Sequence, residues 1–189
     1  MKADVDAARA LAQQQLEVVL PRRWRHVQAV AAKAEQAAGA VSPLDRELLV
    51  AAAWLHDVGY SPELVDTGFH SLDGARWLRR QDVDERLSAL VAHHSCAWLE
   101  AEERGLGQAL GEEFEREESP VTDALCYADM TTGPDGQSFE VLERLAEIRS
   151  RYGSGHLVTR FITRAEPEIV AAVGRTEARL SAGPSVQPM

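Results

Sequence analysis

Six histidines and a few carboxylates hold most of the chemical potential of this sequence. The stretch AAAWLHDVGY at 51–60 sets His56 beside Asp57 at the end of an otherwise apolar run. Burying an imidazole and a carboxylate there would be costly without partners. His26 lies within RWRHVQAVAAKA, in the middle of an amphipathic helical pattern. Asp129 ends the run LCYAD after Leu125 and Cys126. Ligand-type groups thus stand on or beside apolar helical faces at three places far apart in the chain, and one divalent metal ion would satisfy all of them. Neighbouring helical residues point about 100° apart. At a helix's last turn, however, both can reach an ion at its end or edge.

Helices must position these groups, and nearly every segment reads as one. Residues 4–19 are rich in Ala, Leu and Gln with no breaker. Pro21 suits the first turn of a second helix, running to about residue 38 and stopped by Gly39. In SPLD at 42–45, Ser42 is an N-cap, Pro43 the first helical residue and Asp45 the acid of a capping box. Leu48, Leu49, Ala52 and Leu55 then recur at helical spacing, and Gly59 ends that helix. After the irregular SPELVDTGF, the pattern predicts helices over 70–80, 84–94 and 96–103. RGLGQALGEEFEREES, with its three glycines and run of acids, reads as a surface excursion. A Ser-Pro start at 119–120 opens a helix through Met130, and TTGPDG at 131–136 is a turn or loop. Helices over 138–150 and 156–181 follow, the last kinked near Pro167. The tail GPSVQPM is expected to fray. No period-2 run suggests a strand, and no internal repeat is present.

Composition narrows the function classes. A chain of 189 residues with 45% hydrophobic and 26% charged residues suits one packed domain. No apolar run approaches the ~18 residues of a membrane span, and the N-terminal segment does not read as a signal peptide. Cys96 and Cys126 lack CxxC spacing, so a disulfide framework is unsupported and a reducing cytoplasm is the simplest setting. The formal net charge of −10 argues against broad nucleic-acid or anionic-membrane binding. It is compatible with a small phosphorylated substrate held by a few arginines and a metal.

Taken together, RWRHVQAVAAKA, AAAWLHDVGY and YADM resemble the H…HD…D pattern of the HD-domain superfamily of metal-dependent phosphohydrolases. The resemblance spans about residues 22–132. It implies an all-α helical bundle with helical extensions at both ends, a single domain over 1–189, and His26, His56, Asp57 and Asp129 around one divalent ion. FHSLDGARWL resembles the H-x3-GA-x2-L segment that follows HD in subfamilies with a two-metal site. LVAHHS resembles the histidine that ends their next helix. On that resemblance His70 and one of His93 and His94 bind a second ion, with Asp57 bridging. His93 is the ligand expected, leaving His94 to contact substrate. His156 has no motif partner and reads as a surface or helix-start histidine. Mixed imidazole and carboxylate ligation suits Fe, Mn, Co, Ni or Zn. The six-ligand subfamilies point to iron first and manganese next.

The reaction so implied is hydrolysis of a nucleotide or another small phosphate ester or anhydride by metal-activated hydroxide. Two alternatives stay open. Some HD proteins with these ligands hold two irons and cleave C–C or C–P bonds with dioxygen, and others would be non-catalytic metal-binding regulatory modules. Many relatives carry HD-x-G-K. Tyr60 stands where that lysine would be, and joins Asp57 and His94 in the expected catalytic set, lining the pocket or hydrogen-bonding an oxyanion. Arg22, Arg23 and Arg25 flank the first ligand, while Arg76, Arg79 and Arg80 follow His70. From these, Arg25 and Arg76 are the expected phosphate contacts, with Thr131 adding a hydroxyl just after Asp129.

Overall fold

The structure, a computed structural model, describes residues 4–183. The expected fraying of the tail past Gly183 falls outside the described residues. The chain runs through α1 (Val5–Leu16), α2 (Pro21–Gln36), α3 (Arg46–Leu55), α4 (His70–Arg80), α5 (Glu85–His93) and α6 (Ala97–Glu103). It continues through α7 (Gly107–Glu113), α8 (Pro120–Met130), α9 (Val141–Tyr152) and α10 (Leu157–Ser181). The fold is all-α, and among the described residues the sole β-type pairing is an isolated bridge between Thr132 and Ser138. No described helix is long and apolar enough to cross a membrane.

Local chemistry sets the helix starts. Asp4 accepts from the Ala7 amide at 3.0 Å and caps α1. Ser119 and Thr122 form a reciprocal capping box around the start of α8. Ser42 also caps, but it caps a 3-10 turn at Pro43–Asp45, so α3 begins later, at Arg46. Asp45 pairs with Arg86 at 2.7 Å instead of closing a capping box. α10 continues through Pro167 as one helix.

Every residue of α3 from Leu48 to Leu55 is buried. A helix that is apolar all round belongs inside a protein, and α3 packs against α1, α2, α5 and α8. Its C-terminal end therefore lies in the interior, where His56 and Asp57 emerge. α8 is shared between two cores. Its Val121, Ala124, Leu125 and Ala128 join the core around α3, while Cys126 and Met130 join the core built with α9 and α10.

Two further local expectations are corrected. The glycine-rich acidic stretch is no mere excursion, since it holds α7, whose Leu110 sits with Phe114 in a third core against α4, α5 and α6. Leu106, Leu110 and Phe114 recur every four residues, a helical signal hidden by the glycines around it. Gly59 does not terminate α3, which ends at Leu55, and the chain then makes a 3-10 turn at Val58–Tyr60. Gly59 serves a close approach. A Cβ there would lie 2.0 Å from the His70 carbonyl oxygen and 2.6 Å from the Gly74 nitrogen.

Candidate metal centre

The interior end of α3 delivers His56, fully buried, and Asp57, 3% exposed. Around them α2 contributes His26, α8 contributes Asp129 and the first residue of α4 is His70. His94 follows the last residue of α5. His26, His56 and Asp129 form one group of candidate ligands, and Asp57, His70 and His94 form a second. Within each group the ligand atoms all lie within 4.8 Å of one another.

Asp57 stands between the groups. Its Oδ2 lies 3.3 Å from His56 Nε2 and 3.6 Å from His26 Nε2. Its Oδ1 lies 3.5 Å from His70 Nε2 and 3.9 Å from His94 Nε2. Asp129 Oδ1 is 3.2 Å from His26 Nε2 and 3.8 Å from His56 Nε2.

The ring orientations fit a metal. Nδ1 of His26, His56 and His94 faces the carbonyls of Gly133, Ala53 and Val91 at 3.0, 2.8 and 2.7 Å. A carbonyl accepts only, so Nδ1 carries a proton and Nε2 is left as the inward-facing atom that a metal would take, as in metal-binding histidines. His56 Nε2 is buried with no hydrogen-bond partner. His70 Nε2 and His94 Nε2 meet at 3.3 Å. Buried polar atoms normally find partners, and converging imidazole and carboxylate donors of this kind suit a divalent ion.

Charge is shared unevenly. Burial disfavours charge on His56, but Asp57 and Asp129 outweigh it and pull its pKa up to about 9. Burial likewise pushes the Asp57 carboxyl up, yet Arg23 and His56 together hold it well below the usual carboxylate range. Asp129 is also lowered, since hydrogen bonding to His26 and the charge of His56 overcome burial. For His70 and His94 burial wins, and both are shifted toward the neutral form.

A second layer of residues supports the ligands. Arg23 donates to Asp57 Oδ2 at 2.6 Å, and its guanidinium lies 4.0 Å from the Tyr60 ring centroid. Tyr60 stacks in turn on His70, with centroids 4.0 Å apart and planes 15° from parallel. Ser95 donates to Asp129 Oδ2 at 2.5 Å. Ser95 and Cys96 both adopt left-handed backbone, with φ of 49° and 61°. Such strain in non-glycine residues, on the order of 1–3 kcal/mol each, often gathers at functional sites. Asp73 accepts from the amides of Asp66, Thr67 and Gly68 and so fixes the loop that leads into His70.

Several expected site residues are placed elsewhere. His93 points away from the cluster, and its Nε2 donates to the Phe114 carbonyl at 2.8 Å. His94, just past the end of α5 where the chain turns, occupies the second group in its place. Arg25 pairs with Asp135 at 3.2 Å on the surface. Arg76 is held by Glu113 and Asp66. The Thr131 hydroxyl donates to the Tyr127 carbonyl and accepts from Lys33, so it is engaged by its own helix end. Among the arginines flanking His26, Arg23 reaches the cluster. It lies three residues before His26, about one helical turn away, a spacing that sets it apart from Arg25 but not from Arg22, four residues before His26. Ser95 had no sequence signal beyond its place after His94. His156, without a motif partner, lines the cavity that opens onto the ligands.

The HD domain family model matches residues 23–132, more than half of the chain. A tRNA (cytidine(56)-2'-O)-methyltransferase from Picrophilus torridus is 34% identical over 79 residues. That match covers 42% of this chain but only 22% of the methyltransferase. No solved structure gives a significant match.

Proposed function

Because the chain belongs to the HD-domain family, we propose that it is a metal-dependent phosphohydrolase acting on a small phosphate ester or anhydride. The observation that carries the reading is the two three-residue groups that meet at Asp57, five of whose six residues, all but His56, line one cavity of about 220 Å³. His26, His56 and Asp129 would hold one divalent ion, and His70 and His94 a second, with Asp57 between them. Such ions, iron or manganese first, supply Lewis acidity to a phosphoryl oxygen and lower the pKa of a water.

The chain's own residues supply the preorganisation. Carbonyl partners at Nδ1 fix the imidazoles of His26, His56 and His94, so no reorientation is needed when substrate binds. Arg23 holds Asp57 ionised and aimed at both groups. Tyr60 holds His70 through ring stacking and extends the cavity wall beside it.

The test is metal counting on protein purified without chelator, followed by anaerobic and aerobic assays on a panel of small phosphate esters. At least one equivalent of transition metal, with phosphate released in the absence of oxygen, is expected. Less than one equivalent, or product that forms only with oxygen, would overturn the hydrolase reading.

A further inference from the structure

We propose that α9 adds a second anion subsite to the metal centre, built from Arg144 and Arg151, so that the substrate is a compact molecule bearing two anionic groups. The proposal rests on the phosphohydrolase reading for the first of those groups. Both arginines line the same cavity as His26, Asp57, His70 and Asp129. Both lie beyond residue 132, outside the segment matched by the family.

The arginines of the cavity wall are not equally paired. Arg23 is answered by Asp57, and Arg104 by Glu100, which accepts at 2.9 and 2.6 Å. Arg144 and Arg151 share one ion-pairing carboxylate, Glu147, which pairs with Arg144 Nη1 and lies 3.3 Å from Arg151 Nε. Two guanidiniums therefore face one carboxylate. Arg144 is only 5% exposed, and its Nε is buried with no hydrogen-bond partner. A buried guanidinium with idle donors is costly unless an anion completes it. Asp129 also attracts Arg144, but as a metal ligand its charge would be drawn toward the ion. An anion held bidentately by these arginines would satisfy the leftover donors. The cavity of about 220 Å³ is below the ~300–1,000 Å³ of pockets for drug-sized ligands. That favours two anionic groups a few atoms apart over a nucleoside polyphosphate.

Binding to manganese-loaded protein, followed by calorimetry, tests the subsite without relying on turnover. The probes are inorganic phosphate, methylenediphosphonate and phosphonoacetate, the last two differing in whether the second anion is phosphonate or carboxylate. At least one two-anion probe is expected to bind ~10-fold or more tighter than phosphate, the scale of one charge-assisted hydrogen bond. Arg144→Met and Arg151→Gln should erase most of that difference while weakening phosphate itself less than ~3-fold. Arg151 is exposed, so its variant remains informative if Arg144→Met fails to fold. Equal binding of all three probes by the unmodified protein overturns the subsite. So does a two-anion preference that survives Arg151→Gln, because chelation by the metals alone would explain it. A protein that shows the Arg-dependent preference yet releases no phosphate from any ester would retain the subsite and lose the hydrolase reading.

Discussion

The two ligand groups share Asp57 but are built differently. In the first, His26 and His56 are 2% exposed and fully buried, and a backbone carbonyl locks each Nδ1. In the second, only His94 has such a lock. The His70 side chain is 11% exposed and is held by stacking on Tyr60, which Arg23 covers. The first group is a cage fixed by main chain, whereas the second depends on side chains at the cavity. Two ions placed here should thus differ in affinity, with the second weaker and more easily exchanged.

Gly59→Ala should break the comparison most severely. The new methyl would collide with main chain on the His70 side, not with a side-chain tip that can swing away. Overpacking typically costs about 1–3 kcal/mol, and a backbone clash this close should exceed ~3 kcal/mol. For a protein of this size that corresponds to a melting-temperature drop of more than ~6 °C. Metal analysis should show the second equivalent lost before the first, because α4 moves while α2, α3 and α8 keep the first cage. An unchanged melting temperature would refute the close approach of the HD turn to α4.

Single-ligand variants separate the groups next. His56→Ala should cut affinity for the first ion by ~100-fold or more, since removing even a hydrogen-bond partner of a ligand can cost ~10–100-fold. His94→Ala should strip the second ion and leave the first. His93→Gln should leave both ions bound and lower stability by ~1–2 kcal/mol through the weakened bond to Phe114. Retention of two ions by His94→Ala, with loss in His93→Gln, would reverse the assignment made from ring direction.

These adjacent histidines show how far the sequence could be read. The all-α class and the helix spans over 70–80 and 120–130 follow from apolar periodicity and caps, which are local properties, whereas the expected ligands came from the resemblance to a family motif. The choice between His93 and His94 depends on where α5 ends and on what faces each ring. His93 is claimed by a carbonyl of the segment after α7, where the helix itself was obscured by glycines. Arg25 and Arg76 were plausible anion contacts by proximity in sequence, but each met an acid more than thirty residues away. The turn of separation from His26 sets Arg23 apart from Arg25 but not from Arg22, which Asp135 claims, while Ser95 depends on two consecutive left-handed residues that no motif announces.

Proton release offers a sharper test of the two groups. In the ion-free protein His56 has its pKa raised to about 9, against ~6.5 when unfolded. Its charged form contributes stability that is full below ~6.5 and is lost as pH rises through about 9. An ion must displace that proton, so affinity at the first group should rise about tenfold per pH unit from pH 7 toward 9. His70 and His94 are lowered and Asp57 is held ionised, so the second group should show little slope over the same range. Calorimetry at pH 7.5 in two buffers of different ionisation enthalpy should count about one proton for the first ion and none for the second. Equal counts would mean that the groups do not differ electrostatically as their surroundings indicate.

The smallest expected effect concerns Tyr60, which stands where many relatives have lysine. Its hydroxyl makes no hydrogen bond among the described residues, whereas both of its ring contacts involve residues of the centre. An aromatic pair contributes about 0.5–1.5 kcal/mol and a guanidinium over a partly exposed ring about 0.5–1 kcal/mol. Tyr60→Leu should therefore weaken the second ion by ~3–10-fold and leave the first unchanged. Tyr60→Phe keeps the platform and discards only the hydroxyl, so it should preserve both ions. If Tyr60→Phe also preserves turnover, the ring positions His70 and the hydroxyl stabilises no oxyanion. If turnover falls by ~10-fold or more with both ions retained, the hydroxyl itself contacts the reacting group.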